Sequence, residues 1–309
     1  MTVCKALKND PSVSTSTKKK VHDTADKIGY NKIEHLIGVV IPSLENNFFS
    51  YAVQSIADVV SKYGYNVFVT ESRENQKSER LNIESLIKMR VDGLLVCVSQ
   101  ETKDLQIFES AVKMNIPIVF FDRKLEGINF PSVVFDDRNG GISALNKIIN
   151  LGYSKIAHFA GYSNVSIGKE RHIGYRHALE KKGMEIKPEW VIEGGFEIKD
   201  GYEAFNKLYY SQKLPEVIFT VNDRVALGVY KAAREKDIKI PDDLGIVGYG
   251  FIETAKNFYP SLSIINQDPR KIGTAAANLI TEMIANPDTK INRNVIINEE
   301  FFWNNSIRN

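Results

Sequence analysis

From Leu36 onward the chain alternates short, continuous apolar runs with longer stretches in which apolar positions recur every three or four residues. Runs such as Leu36–Ile41 are rich in β-branched residues, which is typical of strands buried on both faces of a parallel sheet. The periodic stretches predict amphipathic helices. The predicted strands are 36–41, 65–70, 93–98, 116–121, 132–135, 155–160, 190–193, 217–220, 245–248 and 293–298, and the predicted helices are 47–63, 77–89, 102–114, 139–151, 168–182, 199–211, 223–236 and 269–285.

Strict alternation of strands and helices predicts an α/β fold with two doubly wound parallel sheets and right-handed crossovers. We expect two lobes after a small head at 1–35. The first lobe takes in about 36–154 and 268–289, and the second about 155–267 and 290–309. Two such lobes leave a cleft at the carboxyl ends of their strands, which is where open α/β sheets bind ligands.

The head has a different pattern and a different charge. Residues 2–8 predict a short helix with Val3 and Leu7 on one face, and residues 15–28 predict a second with the apolar stripe Val21, Ala25 and Ile28. The head contains seven Lys and four acidic residues, whereas the rest of the chain has 33 basic and 34 acidic residues. A cationic head on a nearly neutral body suggests that one part meets a polyanion and the other a small ligand.

Composition narrows the class of protein further. The chain has 309 residues, enough for two cores and a small module. No apolar run approaches the roughly 20 residues of a membrane helix, and no apolar signal segment opens the chain. Cys4 and Cys97 lie far apart, which suits a reducing compartment. The five His residues lack metal-site spacing. We therefore expect a cytoplasmic protein without a metal or cofactor.

Polar side chains cluster directly after the predicted strands. The groups are Asn46–Phe49, Asp122-Arg123, Asp136–Asn139 and Asn222-Asp223, and a further polar residue, Gln267, lies late in the chain. Side chains of these types hydrogen-bond the hydroxyl or amide groups of a polar ligand, and the aromatic rings among them offer apolar faces to a sugar or base. The strand ends therefore predict a ligand site in the cleft.

Several of these residues also have a purely structural interpretation. Asp223 fits the N-cap of the following helix. Asn222 either contacts a ligand or makes a hydrogen bond within its loop, and the sequence does not decide between the two roles. Arg171 on a predicted helix is, taken alone, most often a solvated charge. Asp136 and Asp137 fit a cap or turn better than a metal pair, because no further carboxylates are spaced nearby.

Motifs of common enzyme sites are missing from the sequence. There is no G-x-S-x-G elbow, no P-loop, no G-x-G-x-x-G loop and no plausible Ser/His/Asp set. Polar residues at strand ends would also suit a nucleotide-using enzyme. The lack of a phosphate-cradling loop argues against such an enzyme. We expect a binding protein and not an enzyme.

A series of short motifs resembles the LacI/GalR family of bacterial transcription regulators over essentially the whole chain. Each motif is weak alone, but their common order is highly specific. They are Thr2–Lys8, Ile37–Pro42, Val91–Leu95, Pro117–Arg123, Arg171–Tyr175, Asn222–Gly228, Ile240–Leu244, Val247–Tyr249 and Pro260–Ser263.

The resemblance implies a homodimer that binds a pseudo-palindromic operator and a small effector, a sugar or sugar derivative, between its lobes. Effector binding closes the lobes and changes the spacing of the DNA-binding heads. The implied effector contacts are Asn47, Phe49, Asn139, Arg171, Phe196, Asn222 and Gln267. The implied DNA contacts are Thr2, Lys5, Ser16, Thr17 and Lys18 in a partial helix-turn-helix.

The sequence departs from the family pattern in three places. It starts inside the recognition helix, without the first helix that buttresses it. The segment 31–36 is shorter than the family's hinge helix. Gly250 and Phe251 replace an aspartate that often binds sugar hydroxyls, so a common hexose is less favoured.

We therefore expect these 309 residues to bind operator DNA weakly, if at all. Either the missing helix is encoded upstream, or the chain keeps only the sensor. The alternative function is a stand-alone or transport-type solute-binding protein with no DNA role. That class shares the two-lobe body, but a transported form needs an export signal.

Overall fold

The computed structural model describes residues 2–7, 10–27, 35–125, 130–289, 291 and 293–308. The α-helices in these residues are α1 (Thr2–Leu7), α2 (Thr15–Lys27), α3 (Asn47–Val60), α4 (Gln76–Lys88), α5 (Gln106–Lys113), α6 (Asp137–Asn150), α7 (Ser166–Lys181), α8 (Ile198–Tyr210), α9 (Asp223–Glu235), α10 (Ile252–Ala255) and α11 (Pro269–Ala285). The strands are β1 (Leu36–Ile41), β2 (Asn66–Glu71), β3 (Gly93–Val96), β4 (Ile118–Phe121), β5 (Ser132–Phe135), β6 (Ile156–Ala160), β7 (Val191–Glu193), β8 (Val217–Thr220), β9 (Gly245–Gly250), β10 (Ser263–Asn266), β11 (Asn294–Ile297) and β12 (Glu300–Phe302).

Two six-stranded sheets organise the body, one in each lobe. The first has the order β11-β5-β4-β3-β1-β2 with parallel pairing throughout. The second has the order β12-β10-β9-β8-β6-β7 and is parallel except for β12, which runs antiparallel to β10. The predicted α/β fold with two wound parallel sheets is confirmed.

The centre of the first sheet shows why its strands are continuous apolar runs. Every residue of β1 is buried. Ile37, Val39 and Ile41 join the cluster that contains residues of α3 and α11, whereas Leu36 and Val40 join the cluster on the opposite face. Because successive side chains of a strand point to opposite faces, burial on both sides requires apolar residues at every position.

A close helix contact fixes α11 against the first lobe. Gly273 lies so near α3 that an added Cβ would be 2.3 Å from the carbonyl oxygen of Ala52 and 2.1 Å from Oγ of Ser55. No side chain fits there. This approach places the N-terminal end of α11 beside the cleft.

The chain crosses between the lobes three times in the described residues: between β5 and α6, between β10 and α11, and between β11 and β12. Helix α6 packs against α7 of the second lobe. Strand β11 pairs with β5 of the first lobe. The described residues of 36–135 and 269–297 therefore lie in one lobe and those of 137–266 and 300–308 in the other, whereas the predicted boundaries lay near 154 and 290. The lobe in which an edge strand or a crossover helix packs depends on contacts with residues distant in sequence. The hydrophobic periodicity of the element itself does not reveal those contacts.

Three short elements were not predicted, namely β10, β12 and α10. Each has only three or four residues. Segments of that length are too short to show a periodicity. Strand β10 matters most, because it leads to Gln267 at the cleft.

The head contains the two predicted helices. Helices α1 and α2 contact each other and bury Ala6, Val13 and Ala25. Ser14 precedes α2, and its Oγ accepts a hydrogen bond from the backbone N–H of Thr17 at 3.3 Å. The predicted end of the stripe at Ile28 and most of the short segment 31–36 lie outside the described residues. No helix in the described part of the chain is long and apolar enough to cross a membrane.

Candidate functional site

A cavity of about 240 Å³ lies between the lobes, at the carboxyl ends of their strands. Its walls come from the loop after β1, the ends of β4, β8 and β9, and the start of α3 and α9. Six of the seven predicted effector residues line it. They are Asn47, Phe49, Arg171, Phe196, Asn222 and Gln267.

Arg171 forms the back of the cavity and is only 2% exposed. Its Nε donates to Oδ1 of Asp137 at 2.7 Å, and its Nη2 donates to Oε1 of Gln267 at 2.8 Å. A third hydrogen bond runs from Nη1 to the carbonyl oxygen of Val221, and the guanidinium lies 4.3 Å from the ring centre of Tyr249. The side chain is therefore a fixed, buried cation and not a solvated charge.

Asn222 holds two parts of the cavity wall. Its Oδ1 accepts from the backbone N–H of Val225 at 2.8 Å, and its Nδ2 donates to the carbonyl oxygen of Phe196 at 2.9 Å. Asn222 is thus the N-cap of α9, and the prediction that Asp223 caps this helix is wrong. Because Asp223 is the first residue inside the helix, its carboxylate is available to line the cavity.

Asn139 does not line this cavity. It is exposed, and its Nδ2 donates to both carboxylate oxygens of Asp136 at 3.0 and 2.9 Å. Asp137 instead reaches the cavity through Arg171. Residues two apart on a helix are separated by about 200° around its axis, so Asp137 and Asn139 point in nearly opposite directions.

The first lobe contributes the start of α3. Asn46 caps this helix by accepting from the backbone N–H of Phe48 at 3.0 Å. The cap orients the first turn so that Asn47, Phe48 and Phe49 all line the cavity, with Phe49 reaching into the core and Asn47 exposed.

Arg123 and Glu74 complete the wall although neither was among the predicted effector contacts. Nη1 of Arg123 donates to Oε2 of Glu74 at 2.8 Å. The Arg123 guanidinium also lies 5.3 Å from the ring centre of Phe196 in the other lobe. The available signal was the position of Asp122-Arg123 directly after a predicted strand.

The three crossovers each place one polar side chain in a buried network next to Arg171. Asp137 follows β5, Gln267 follows β10, and Glu299 lies between β11 and β12. Nε2 of Gln267 donates to Oδ1 of Asp137 at 2.8 Å and also to Oε1 of Glu299. Two of the predicted effector residues, Arg171 and Gln267, and the interlobe connections are therefore parts of one hydrogen-bonded unit.

Burial shifts the acid–base properties of these groups. Burial raises the pKa of the Asp137 carboxyl, although the Arg171 cation opposes the rise. Burial and the neighbouring Asp137 carboxylate raise the pKa of Glu299 well above its usual range. Burial also raises the pKa of Asp122, and that of Asp223 to about 6. No cluster of His, Cys, Asp and Glu suited to a metal ion occurs among the described residues.

A family described as periplasmic binding proteins and the sugar binding domain of the LacI family matches residues 34–305. The chain belongs to the LacI family. The HTH-type transcriptional repressor PurR of Haemophilus influenzae (strain PittEE) is 34% identical over 254 residues, which is 82% of this chain and 74% of the relative. PurR of Actinobacillus pleuropneumoniae serotype 3 (strain JL03) is 29% identical over 320 residues, covering 100% of this chain and 94% of that protein.

Solved structures of LacI-family regulators have the same fold. The transcription regulator CcpA of Lactococcus lactis superposes with a TM-score of 0.81 at 24% identity, covering 89% of this chain and 99% of that one. The lac repressor dimer bound to operator and the anti-inducer ONPF superposes with a TM-score of 0.78 at 22% identity, covering 99% and 94%. The curated relatives are transcriptional repressors and not enzymes. This LacI-family chain is accordingly a transcriptional regulator with an effector-binding domain, which disfavours the transport-type alternative.

Proposed function

We propose that this LacI-family regulator binds a sugar or sugar derivative in the interlobe cavity and couples lobe closure to operator binding as a cytoplasmic homodimer. The observation that carries the proposal is the buried Arg171 guanidinium. It faces the cavity while it is held by residues of two crossovers. A ligand that contacts Arg171 also acts on the connections between the lobes.

The lining of the cavity supports a sugar-like effector. Polar side chains such as Asn47 and Arg171 alternate with the rings of Phe49 and Phe196. The hydroxyl groups of a sugar hydrogen-bond to polar side chains, and the C–H faces of its ring pack against aromatic rings. The volume of about 240 Å³ lies near the lower end of ligand pockets, which suits a small ligand such as one sugar. A regulator of the same fold, CelR, was solved as a cellobiose complex.

Contacts across the cleft support coupling through closure. Arg270 of α11 pairs with Glu253 of α10 at 2.6 Å. On another side of the cleft, Nδ2 of Asn164 donates to the carbonyl oxygen of Gln100 at 2.8 Å. A ligand that bridges the lobes favours the arrangement with these contacts, by a coupling free energy of typically ~1–3 kcal/mol.

An apolar groove on the second lobe supports the homodimer. It is lined by side chains that include Leu227, Tyr230, Phe258 and Tyr259, and Tyr259 is 97% exposed. Exposed apolar grooves of this kind mark interaction sites. We propose a second copy of the chain as the occupant. Light scattering should show a dimer that Tyr259→Asp converts to a monomer, whereas a wild-type monomer would contradict this.

The head is the proposed DNA-binding part. Thr2 and Lys5 of α1 and Ser16 of α2 are exposed, and Thr17 and Lys18 are partly exposed. Selection from a randomised duplex library tests the head. Enrichment of a two-fold symmetric site supports operator binding, and a selected pool without such a site contradicts it. Sequence-independent binding that falls steeply with salt shows only attraction of Lys to phosphate.

A thermal-shift screen over sugars, sugar phosphates and nucleosides tests the effector site. A ligand at ~100 times its dissociation constant adds ~2.7 kcal/mol to the free energy of unfolding. Arg171→Lys keeps a cation beside Asp137 but removes the planar guanidinium, so we expect it to lose the stabilisation by the best ligand. Arg176→Lys on the exposed face of α7 is the matched control. Equal stabilisation of both variants would refute the site.

A further inference from the structure

The cations of the effector cavity are already neutralised by protein carboxylates. Nε of Arg171 bonds Asp137 at 2.7 Å, and Nη1 of Arg123 bonds Glu74 at 2.8 Å. Nε of Arg224 bonds Oε2 of Glu197 at 3.1 Å.

Each guanidinium in this wall therefore has its counter-charge within hydrogen-bond distance. No unpaired Arg remains, among the described lining residues, to neutralise a phosphate or carboxylate of a ligand.

Apart from the exposed Glu45 at the rim, two more carboxylates, those of Asp122 and Asp223, line the same cavity without a basic partner at salt-bridge distance among the described residues. Asp122 is 6% exposed, and its described hydrogen-bond partner is the thiol of Cys97 at 3.7 Å. Asp223 lies at the opposite wall, against Gly250. Its Oδ2 is 2.7 Å from the position that a Cβ of residue 250 would occupy. The Asp223 carboxylate thus fills the space next to a position that carries no side chain.

A donor remains beside Asp122. Nε of Arg123 is buried and has no hydrogen-bond partner among the described atoms. Asp122 and Arg123, which both line the cavity, therefore carry a carboxylate acceptor and an unused donor on neighbouring residues. A hydroxyl group satisfies both, because it donates and accepts at once. A phosphate at neutral pH only accepts, and an ammonium only donates.

We infer that Asp122 and Asp223 select an uncharged, polyhydroxylated effector, a free sugar, and exclude its phosphate and its uronate. The inference rests on the proposed effector site and adds the charge class of the ligand. Unpaired carboxylates repel an anionic ligand, since juxtaposed like charges lower affinity. Ionised carboxylates also accept hydrogen bonds from hydroxyl groups, so they favour the neutral sugar.

The test uses matched ligand sets on the 309-residue chain. Each set contains one free hexose or pentose with its phosphate, its uronate and its amino derivative, and binding is measured by calorimetry. We expect the best ligand to be a free sugar, with its phosphate and uronate weaker by about tenfold or more. Asp122→Asn and Asp223→Asn should each weaken the free sugar and reduce its preference over the phosphate.

Glu109→Gln is the control, because Glu109 is an exposed carboxylate on α5, away from the residues that line the cavity. It should leave both affinity and preference unchanged. Urea unfolding of each variant shows whether a lost affinity reflects a lost fold. If Asp122→Asn does not fold, Asp223→Asn decides alone.

The outcomes separate the two proposals. A phosphate, uronate or amino sugar that binds best overturns the charge selection and leaves the effector site standing. An unchanged preference in folded Asp223→Asn does the same. If no compound in the sets binds, the result counts against the effector site and also against the charge selection.

Discussion

His158 makes the stability of the second lobe sensitive to acid. This side chain of β6 is fully buried, and its ring lies 4.9 Å from Tyr175 and 5.2 Å from Phe219, measured between ring centres. Nδ1 lies 3.0 Å from the carbonyl oxygen of Phe219, and Nε2 has no described partner. A proton on Nε2 would place an unpaired charge among aromatic rings, which is costly.

Burial lowers the pKa of His158 from 6.5 to about 3. The unfolded chain binds a proton here as the pH falls below 6.5, whereas the folded chain does not until the pH nears 3. Stability therefore decreases on acidification across this window, by ~1.4 kcal/mol per pH unit. Between pH ~7.5 and pH ~5 the loss attributable to His158 is about 2 kcal/mol.

Urea unfolding of wild type and His158→Phe at these two pH values measures the effect. The ring of Phe stays in the aromatic stack but does not titrate. We expect the variant to lose about 2 kcal/mol less than wild type on acidification, whatever its stability at neutral pH. His158→Gln, which keeps a polar group near Phe219, should behave alike. The control His177→Gln, exposed on α7, should follow wild type. Equal acid losses in wild type and both His158 variants would refute the reasoning.

Three further predictions concern a cap, a helix contact and a crossover. Asn222→Ala should lower the free energy of unfolding by about 1–2 kcal/mol in urea titrations, because it removes the N-cap of α9; Asn222→Asp keeps the cap oxygen and should lose less. Gly273→Ala should lower stability by ~1–3 kcal/mol in thermal unfolding, because its Cβ overlaps α3, whereas Gly194→Ala, with open space around the added Cβ, should be tolerated. Glu299 has a raised pKa, so the folded chain keeps a proton that the unfolded chain releases above pH 4.5, and the stability that this proton provides is lost as the pH rises. Glu299→Gln should therefore stabilise the protein more at pH ~8 than at pH ~5, and the reverse order would show that Glu299 is ionised in the fold.

Much of the fold follows from local patterns. A buried strand needs apolar residues at every position, as in Leu36–Ile41, and an amphipathic helix needs an apolar stripe, as in α9. The cluster of Arg171, Asn222 and Gln267 was also predictable, although in different ways. Asn222 follows β8, a predicted strand whose carboxyl end lies at the cleft. Gln267 follows β10, which the pattern did not predict, and only the resemblance to the LacI/GalR family placed Gln267 at the site. Arg171 lies on a helix, and only the resemblance to the LacI/GalR family raised it above a solvated charge.

Other features depended on the tertiary structure. The sequence offered Asp223 as the cap of α9, but the backbone at the start of this helix decided that Asn222 caps it while Asp223 faces the cavity. The family resemblance placed Asn139 at the site. In the structure, the side of α6 that faces Arg171 carries Asp137 instead.

What the sequence determined by itself is therefore most of the helices and strands, their alternation and the edge of each sheet that carries the polar residues. These features follow from contacts between near neighbours in the chain. Only the tertiary structure decided the lobe of α6 and β11, the pairing of Arg123 with Glu74, and the junction of Asp137, Gln267 and Glu299. These features depend on contacts between residues that are distant in sequence. The local pattern of hydrophobic and polar residues around either partner does not determine the energy of such a contact.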